Sequence, residues 1–260
     1  MVYLPQLQKF LDSYMLFDKK LEVGRIDPFM TNGLLVKGKE EVKKIGFGVS
    51  ASLGLFQLAQ KENCDAIIVH HSFNLPPTNR YDEVFQNRIE YLLQNDISLF
   101  GYHFLLDAHP QVGNNAQILE TIGAKKEAQY FFHGYPWGWM GVFEKSQTLE
   151  NVIGNLRPYL SKRLTIYDFG PEKVKKVVAL SGKGAPGASE MQDLIDEKVD
   201  LYITGEVHEW NRELFREAGI HLIAGGHYAT EVFGLRALMD KIPADFPDMD
   251  TKWLKLHNEV

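Results

Sequence analysis

The four residues Ala66-Ile67-Ile68-Val69 are apolar without interruption, and His70-His71 follow them directly. Such a short run, rich in β-branched side chains, reads as a buried strand, and the fold has to cover it. Neighbouring side chains on an extended backbone point to opposite faces, so an imidazole pair at the end of this strand is poorly placed to pack a core. It is well placed to hold something. Taken alone, adjacent histidines are more often a polar loop or a hydrogen-bonded strand end than a metal site, although histidine is the commonest metal ligand. The rest of the chain has to decide.

With 260 residues, 45% of them hydrophobic, the chain can bury one large core or two modest ones. Its net charge is −6, and its basic clusters do not exceed pairs such as Lys19-Lys20, Lys43-Lys44 and Lys175-Lys176. The electrostatics therefore give no reason to expect a nucleic-acid partner. Cys64 is the sole cysteine, which excludes an intrachain disulfide framework and thiolate zinc clusters and suits a reducing cytosol. Leu4, Leu7, Phe10, Leu11 and Tyr14 recur at helical spacing behind Pro5, so the first residues form an amphipathic helix and not a secretory signal. No segment is apolar for long enough to cross a bilayer. The expected location is the cytoplasm.

In chain order, strands are expected at 34–36, 45–49, 65–71, 97–102, 163–167, 174–180, 200–204 and 221–224. Helices are expected at 51–61, 82–94, 114–123, 148–160, 189–197 and 211–217, with a last helix opened by 225–231 and running to 241. The aromatic and glycine-rich stretch 130–143 marks a lobe boundary, and 243–260 has no firm pattern. Alternating strands and helices argue for an α/β fold with parallel or mixed sheets. In such folds ligands sit beyond the carboxyl ends of the strands. His70 and His71 follow one strand, His103 and Asp107 a second, and His227 and Glu231 a third.

Glu231 lies four residues after His227, so on a helical turn both side chains can face one point. Imidazoles mixed with carboxylates suit zinc, iron or manganese, whereas calcium favours oxygen ligands alone. His70, His71, Asp107, His227 and Glu231 are too many for one catalytic zinc, which takes three protein ligands and a water. They suit two divalent ions sharing a carboxylate, roughly 3.5–4 Å apart, an arrangement common among hydrolases.

The chain resembles the dinuclear-metal-centre hexameric family known as GTP cyclohydrolase 1 type 2 homologues. The stretches that carry the resemblance are Asn32-Gly33-Leu34, Val69-His70-His71, the run from His103 through Asp107 to Pro110 with Gly113-Asn114-Asn115, Tyr202-Ile203-Thr204-Gly205-Glu206, and Gly226-His227-Tyr228-Ala229-Thr230-Glu231. They stand in family order along nearly the whole chain. The family's metal ligands fall on His70, His71, Asp107, His227 and Glu231, the same five residues. The resemblance implies two α/β lobes with mixed sheets flanked by helices, the metal site at strand C-terminal ends between the lobes, and assembly into a toroidal homohexamer. The expected lobes are 1–123 with 226–260, and 124–225. There is no room for the mid-chain domain that some members insert, and the loop from Ser72 to Pro77 departs from the family's usual wording, which bears on substrate preference.

The implied activity is attack of a metal-bound hydroxide on a purine ring carbon, in the cyclohydrolase version opening the imidazole ring of GTP and releasing formate. A small molecule, with nucleotides among the candidates, is the expected partner. A phosphoesterase on the same paired metals is an alternative, as is a non-enzymatic metal-holding ring. Glu206, His208 and His103 are the candidate acid/base groups; His109, which with His103 flanks Asp107, is a partner of it, an outer base, or a solvated or hydrogen-bonded histidine, and His133 and His221 are structural. Gly182, Gly184 and Gly187 match G-x-G-x-x-G, the wording of a dinucleotide site, but Pro186 restricts the loop, and a tight strand-to-helix turn whose amides can hold a phosphate is the better reading. Phe131, Phe132, Trp137 and Trp139 suit packing better than stacking on a purine.

Overall fold

The computed structural model describes residues 1–73, 81–256 and 258, so residues 74–77 of the departing loop lie outside the described residues. The run that ends on the histidine pair is the strand Ala66–His71, the middle of a five-stranded sheet. Across that sheet the order is Asp250–Trp253, Lys44–Ser50, Ala66–His71, Ser98–Gly101 and Gly33–Val36. The first four strands are parallel and Gly33–Val36 runs against them, so the sheet is mixed. Ile67 and Val69 pack with Leu55, Phe56, Ala59, Leu92 and Leu99 on one face, and Ala66 and Ile68 are fully buried on the other, which explains the unbroken apolar run. Leu53–Lys61 starts where Ser52 accepts a hydrogen bond from the amide of Leu55, and Glu83–Gln94 where Asp82 accepts one from Phe85.

A second sheet has the order Lys125–Phe132, Tyr135–Gln147, Val174–Leu180, Leu201–Thr204, His221–Ala224 and Thr165–Tyr167. Its inner three strands are parallel and its outer ones antiparallel. One face packs Ile118, Leu119, Val152 and Leu156 against Val177 and Ile203, and the other packs Met191, Leu194 and Phe215 against Val178, Tyr202 and Leu222. The mixed α/β class expected from the sequence is therefore the class observed.

The aromatic stretch is a β-hairpin where the sequence reading expected a boundary. Its two-residue loop is His133-Gly134, with φ of 51° and 79°, and positive φ at both central residues is what a type I′ turn requires. Asp250–Trp253 also escaped the sequence reading, because its residues alternate only between exposed and half-buried at the sheet edge. The last helix breaks at Glu231 into His227–Thr230 and Val232–Asp245.

The chain divides into two compact units, Met1–Leu106 with Leu235–His257, and Asp107–Gly234 with Asn258–Val260. Relative to the expected lobes, Asn114–Thr121 and His227–Thr230 fall in the second unit. Hydrogen bonds explain this: Asn114 donates to Asp107 and accepts from the amide of Gly234, and Thr230 accepts from the amide of Gly182. Among the described residues no helix is long and apolar enough to cross a membrane.

Candidate functional site

In the first unit, His70 and His71 occupy the last two positions of their strand, and their rings stand 4.8 Å apart. Each is tied to a different neighbouring strand or its end. His70 Nδ1 lies 2.9 Å from the carbonyl of Tyr102, and His71 Nδ1 lies 3.0 Å from the hydroxyl of Ser50. A carbonyl only accepts, so the Tyr102 bond fixes the His70 proton on Nδ1 and the lone pair on Nε2. His70 is fully buried.

His103 follows Ser98–Gly101, with its ring centroid 4.9 Å from that of His70 and 5.6 Å from that of His71. Its Nδ1 lies 2.9 Å from Asp27 Oδ2. The same oxygen accepts from Asn32 Nδ2 at 3.0 Å and from the amide of Phe104 at 3.2 Å. The Asn32 carbonyl oxygen accepts in turn from the amides of His103 and Leu105. Burial alone would raise the Asp27 carboxyl, but the bonds from His103, Asn32 and Phe104 outweigh it and hold its pKa below the ordinary carboxylate value. Ligating atoms of His70, His71 and His103 all lie within 4.8 Å of one another, a grouping able to hold a metal ion.

In the second unit, Asp107 Oδ1 accepts from the hydroxyl of Ser181 at 2.8 Å and from Asn114 Nδ2 at 2.9 Å. His227 opens the turn His227–Thr230, and its Nε2 lies 3.0 Å from Glu231 Oε1, as the four-residue spacing predicts. Its Nδ1 lies 2.5 Å from Glu206 Oε1. Burial would lower the His227 pKa, but Glu231 and Glu206 together raise it above the ordinary imidazole value. An imidazole between two carboxylates is a donor set that fits a divalent ion.

Glycine-rich loops let these groups approach. Gly182, at φ +60°, stands where an added Cβ would meet Glu231 Oε1 at 2.3 Å and His227 Nε2 at 3.3 Å. Its carbonyl accepts from the amides of Gly205 and Glu206, and its amide donates to Thr230 Oγ1, so three loops are laced together. Gly187 instead begins the helix Ala188–Asp196, where its amide donates to Glu190.

The sequence-predicted residues thus fall into local groups. The first unit gathers His70, His71 and His103; the second joins His227, Glu231 and Glu206 and orients Asp107. His208 is exposed and stacks on Trp210, with no hydrogen bond to His227 or Glu231. His109 anchors a turn by accepting from the amides of Gln111 and Val112, and His221 holds the Gly170 amide and the Pro171 carbonyl. Trp139 is a core residue whose indole donates to the Ala108 carbonyl, whereas Phe131 is exposed. Asp27, Ser50, Ser181 and Gly182 were missed as partners of the predicted residues. Only the glycine-rich wording after the 174–180 strand signalled any of them.

The Duf34/NIF3 (NGG1p interacting factor 3) family profile matches residues 9–259. A protein of Archaeoglobus fulgidus named GTP cyclohydrolase 1 type 2 homolog is 36% identical over 240 residues, 92% of either chain. One of Escherichia coli K12 with the same name is 37% identical over 254 residues, 94% of this chain and 96% of its own. Among solved structures, a structural-genomics protein, ybgI, of unknown function superposes with a TM-score of 0.84 at 32% identity over the full length of both chains. A Thermus thermophilus protein gives 0.82 at 28% identity, also over both full lengths. By this unbroken match and this identity to its relatives, the chain belongs to the Duf34/NIF3 family.

Proposed function

We propose that the protein is a dinuclear metal-dependent hydrolase of the GTP cyclohydrolase 1 type 2 kind, acting on a ring carbon of a purine nucleotide. His70, His71, Asp107, His227 and Glu231 are its metal-holding residues, and its assembly is a homohexamer. The observation that carries this reading is the use of Nδ1 in the histidines. His70 gives its Nδ1 proton to a backbone carbonyl and His227 gives its own to a carboxylate, which leaves Nε2 as the ligating atom of each. Metal-ligating histidines almost always donate their other ring N–H in this way. The names of the relatives supply the substrate class.

Two divalent ions, with zinc, iron or manganese suited to the donors, supply Lewis acidity and lower the pKa of water. The chain's own groups position everything else. Ser181 and Asn114 orient Asp107 through Oδ1, and Glu206 holds the Nδ1 proton of His227, a positioning role in place of the acid/base role expected from sequence. His208, exposed beside Trp210, is the acid/base candidate that remains. The test is elemental analysis of protein purified without chelator, followed by formate release from GTP. About two ions per chain are expected, and His70→Ala and Glu231→Ala should each hold fewer ions and release no formate. Metal-loaded protein that releases no formate rejects the cyclohydrolase chemistry, and protein that binds no metal rejects the whole reading.

A further inference from the structure

The edge of the second sheet that presents His227 also presents Lys162, Arg163 and Lys183, which the metal reading leaves unused. The strands Val174–Leu180, Leu201–Thr204 and His221–Ala224 end level along this edge, with Leu180 beside Thr204 and Thr204 beside Ala224. Thr165–Tyr167 runs the other way, so Thr165 pairs with Ala224 and the residues before it lie at the same edge. Lys183 thus stands at one flank and Lys162 with Arg163 at the other, three strand spacings or roughly 14 Å apart at the backbone. Both flanks touch the turn that carries His227 and Glu231. Lys183 follows Gly182, which abuts Glu231 Oε1 and His227 Nε2. Lys162 follows Ser161, whose amide donates to the Gly225 carbonyl at 2.8 Å and whose Cβ a methyl added at Gly226 would meet at 2.7 Å. All three cations are exposed, and none makes an ion pair with a described residue. In a chain of net charge −6, no acid lies between Glu150 and Asp168 to neutralise Lys162 and Arg163. The start of the helix Ala188–Asp196 is not available to an anion, because Glu190 already holds the Gly187 amide.

We propose that Lys162, Arg163 and Lys183 form a cationic rim that seats the phosphate groups of the substrate, and so selects a phosphorylated small molecule over its nucleoside. A phosphate between the flanks lies about 7 Å from each backbone, inside the Debye length of roughly 8 Å, so cations on both sides act on it together. The proposal rests on the purine-nucleotide reading and names the part of the ligand that this edge recognises. The rim binds and steers the ligand, and the reacting ring belongs to the metal-holding residues.

The test measures GTP and guanosine affinity by equilibrium dialysis against the zinc-loaded, full-length protein and its variants. Wild type should hold GTP more tightly than guanosine, and added salt should narrow that gap. Lys183→Ala, and Lys162→Ala with Arg163→Ala, should weaken GTP by roughly 2–5-fold per cation removed, and the triple variant by roughly 10–100-fold. Guanosine affinity, zinc content and the melting curve should keep their wild-type values throughout, and Lys183→Arg should bind GTP as wild type does. An unchanged ratio of GTP to guanosine affinity in the triple variant overturns the proposal. So does an RNA oligonucleotide that wild type binds more tightly than GTP and the triple variant loses, which would make the rim a nucleic-acid surface. GTP binding that weakens in the triple variant, with no formate released by wild type, upholds the rim and rejects only the cyclohydrolase chemistry. A wild type that holds about two ions and binds neither GTP nor guanosine overturns the rim and the purine reading together.

Discussion

Replacing Gly182 by alanine separates backbone strain from damage to the metal-holding residues. At φ +60° an L-residue is strained, which costs about 1 kcal/mol. The added Cβ would also sit 2.3 Å from Glu231 Oε1, where real Cβ contacts do not fall below 3.0 Å, so the carboxylate must retreat by about 0.7 Å. Glu231 is buried and engaged by His227 Nε2 at 3.0 Å, so that retreat breaks the pair. Disturbing the support of a metal-holding residue costs roughly 10–100-fold in metal affinity, or about 1.4–2.7 kcal/mol. The comparison is Gly123→Ala, at φ +74° with nothing within 4 Å of the new methyl, which carries the strain without the collision. Zinc affinity by chelator competition and thermal melting should therefore diverge. Both variants lose about 1 kcal/mol of stability, and only Gly182→Ala loses metal. Wild-type zinc affinity in Gly182→Ala would refute the placement of Glu231 as a ligand.

Three further outcomes follow from single groups. Asn114→Ala removes the acceptor of the Gly234 amide and one donor to Asp107, so it should destabilise the protein by about 2–3 kcal/mol, read as a lower denaturant midpoint. Burial raises the Glu190 carboxyl, but bonds from its own amide, Ser189 and the Gly187 amide, with His133 nearby, bring its pKa below the ordinary value. A lowered folded-state pKa gives stability that is present above the unfolded-state value and lost as pH falls through the folded one. Glu190→Gln should thus cost about 1 kcal/mol at neutral pH, with the gap to wild type closing on acidification; denaturant titrations at pH 7 and well below the carboxylate range check this. Zinc at about 100 times its dissociation constant should stabilise wild type by about 2.7 kcal/mol and His227→Ala by less, and an equal rise in melting temperature in both would remove His227 from the ligands.

The parts of the molecule legible in the sequence are those with local signals. The Ala66–His71 strand announced itself because a strand covered on both sides has no polar alternation, and the helix at Glu83–Gln94 because its cap and its apolar positions lie within one window. The family wording around His103, Asp107, His227 and Glu231 led to residues that the structure holds in oriented local groups. What stayed hidden depends on distant partners. Asp27 meets His103 across 76 positions and looked like an ordinary turn before Pro28. The hairpin of Lys125–Phe132 and Tyr135–Gln147 was obscured because glycines and aromatics blur its alternation, and because His-Gly is a weaker turn signal than Asn-Gly. Gly182 could be recognised as a turn former, but the carboxylate it accommodates is 49 residues further on.

The parallel pairing of Asp250–Trp253 with Lys44–Ser50 sets a schedule for biosynthesis. The ribosome makes the inner strand first, and roughly 10–40 s pass at 5–20 residues per second before its neighbour emerges. Throughout that interval one side of Lys44–Ser50 offers unpaired amides and carbonyls to any passing extended chain. A nascent protein with this register has to be shielded by a chaperone or outrun its own aggregation, and loss of the strand at 250–253 would make the exposure permanent.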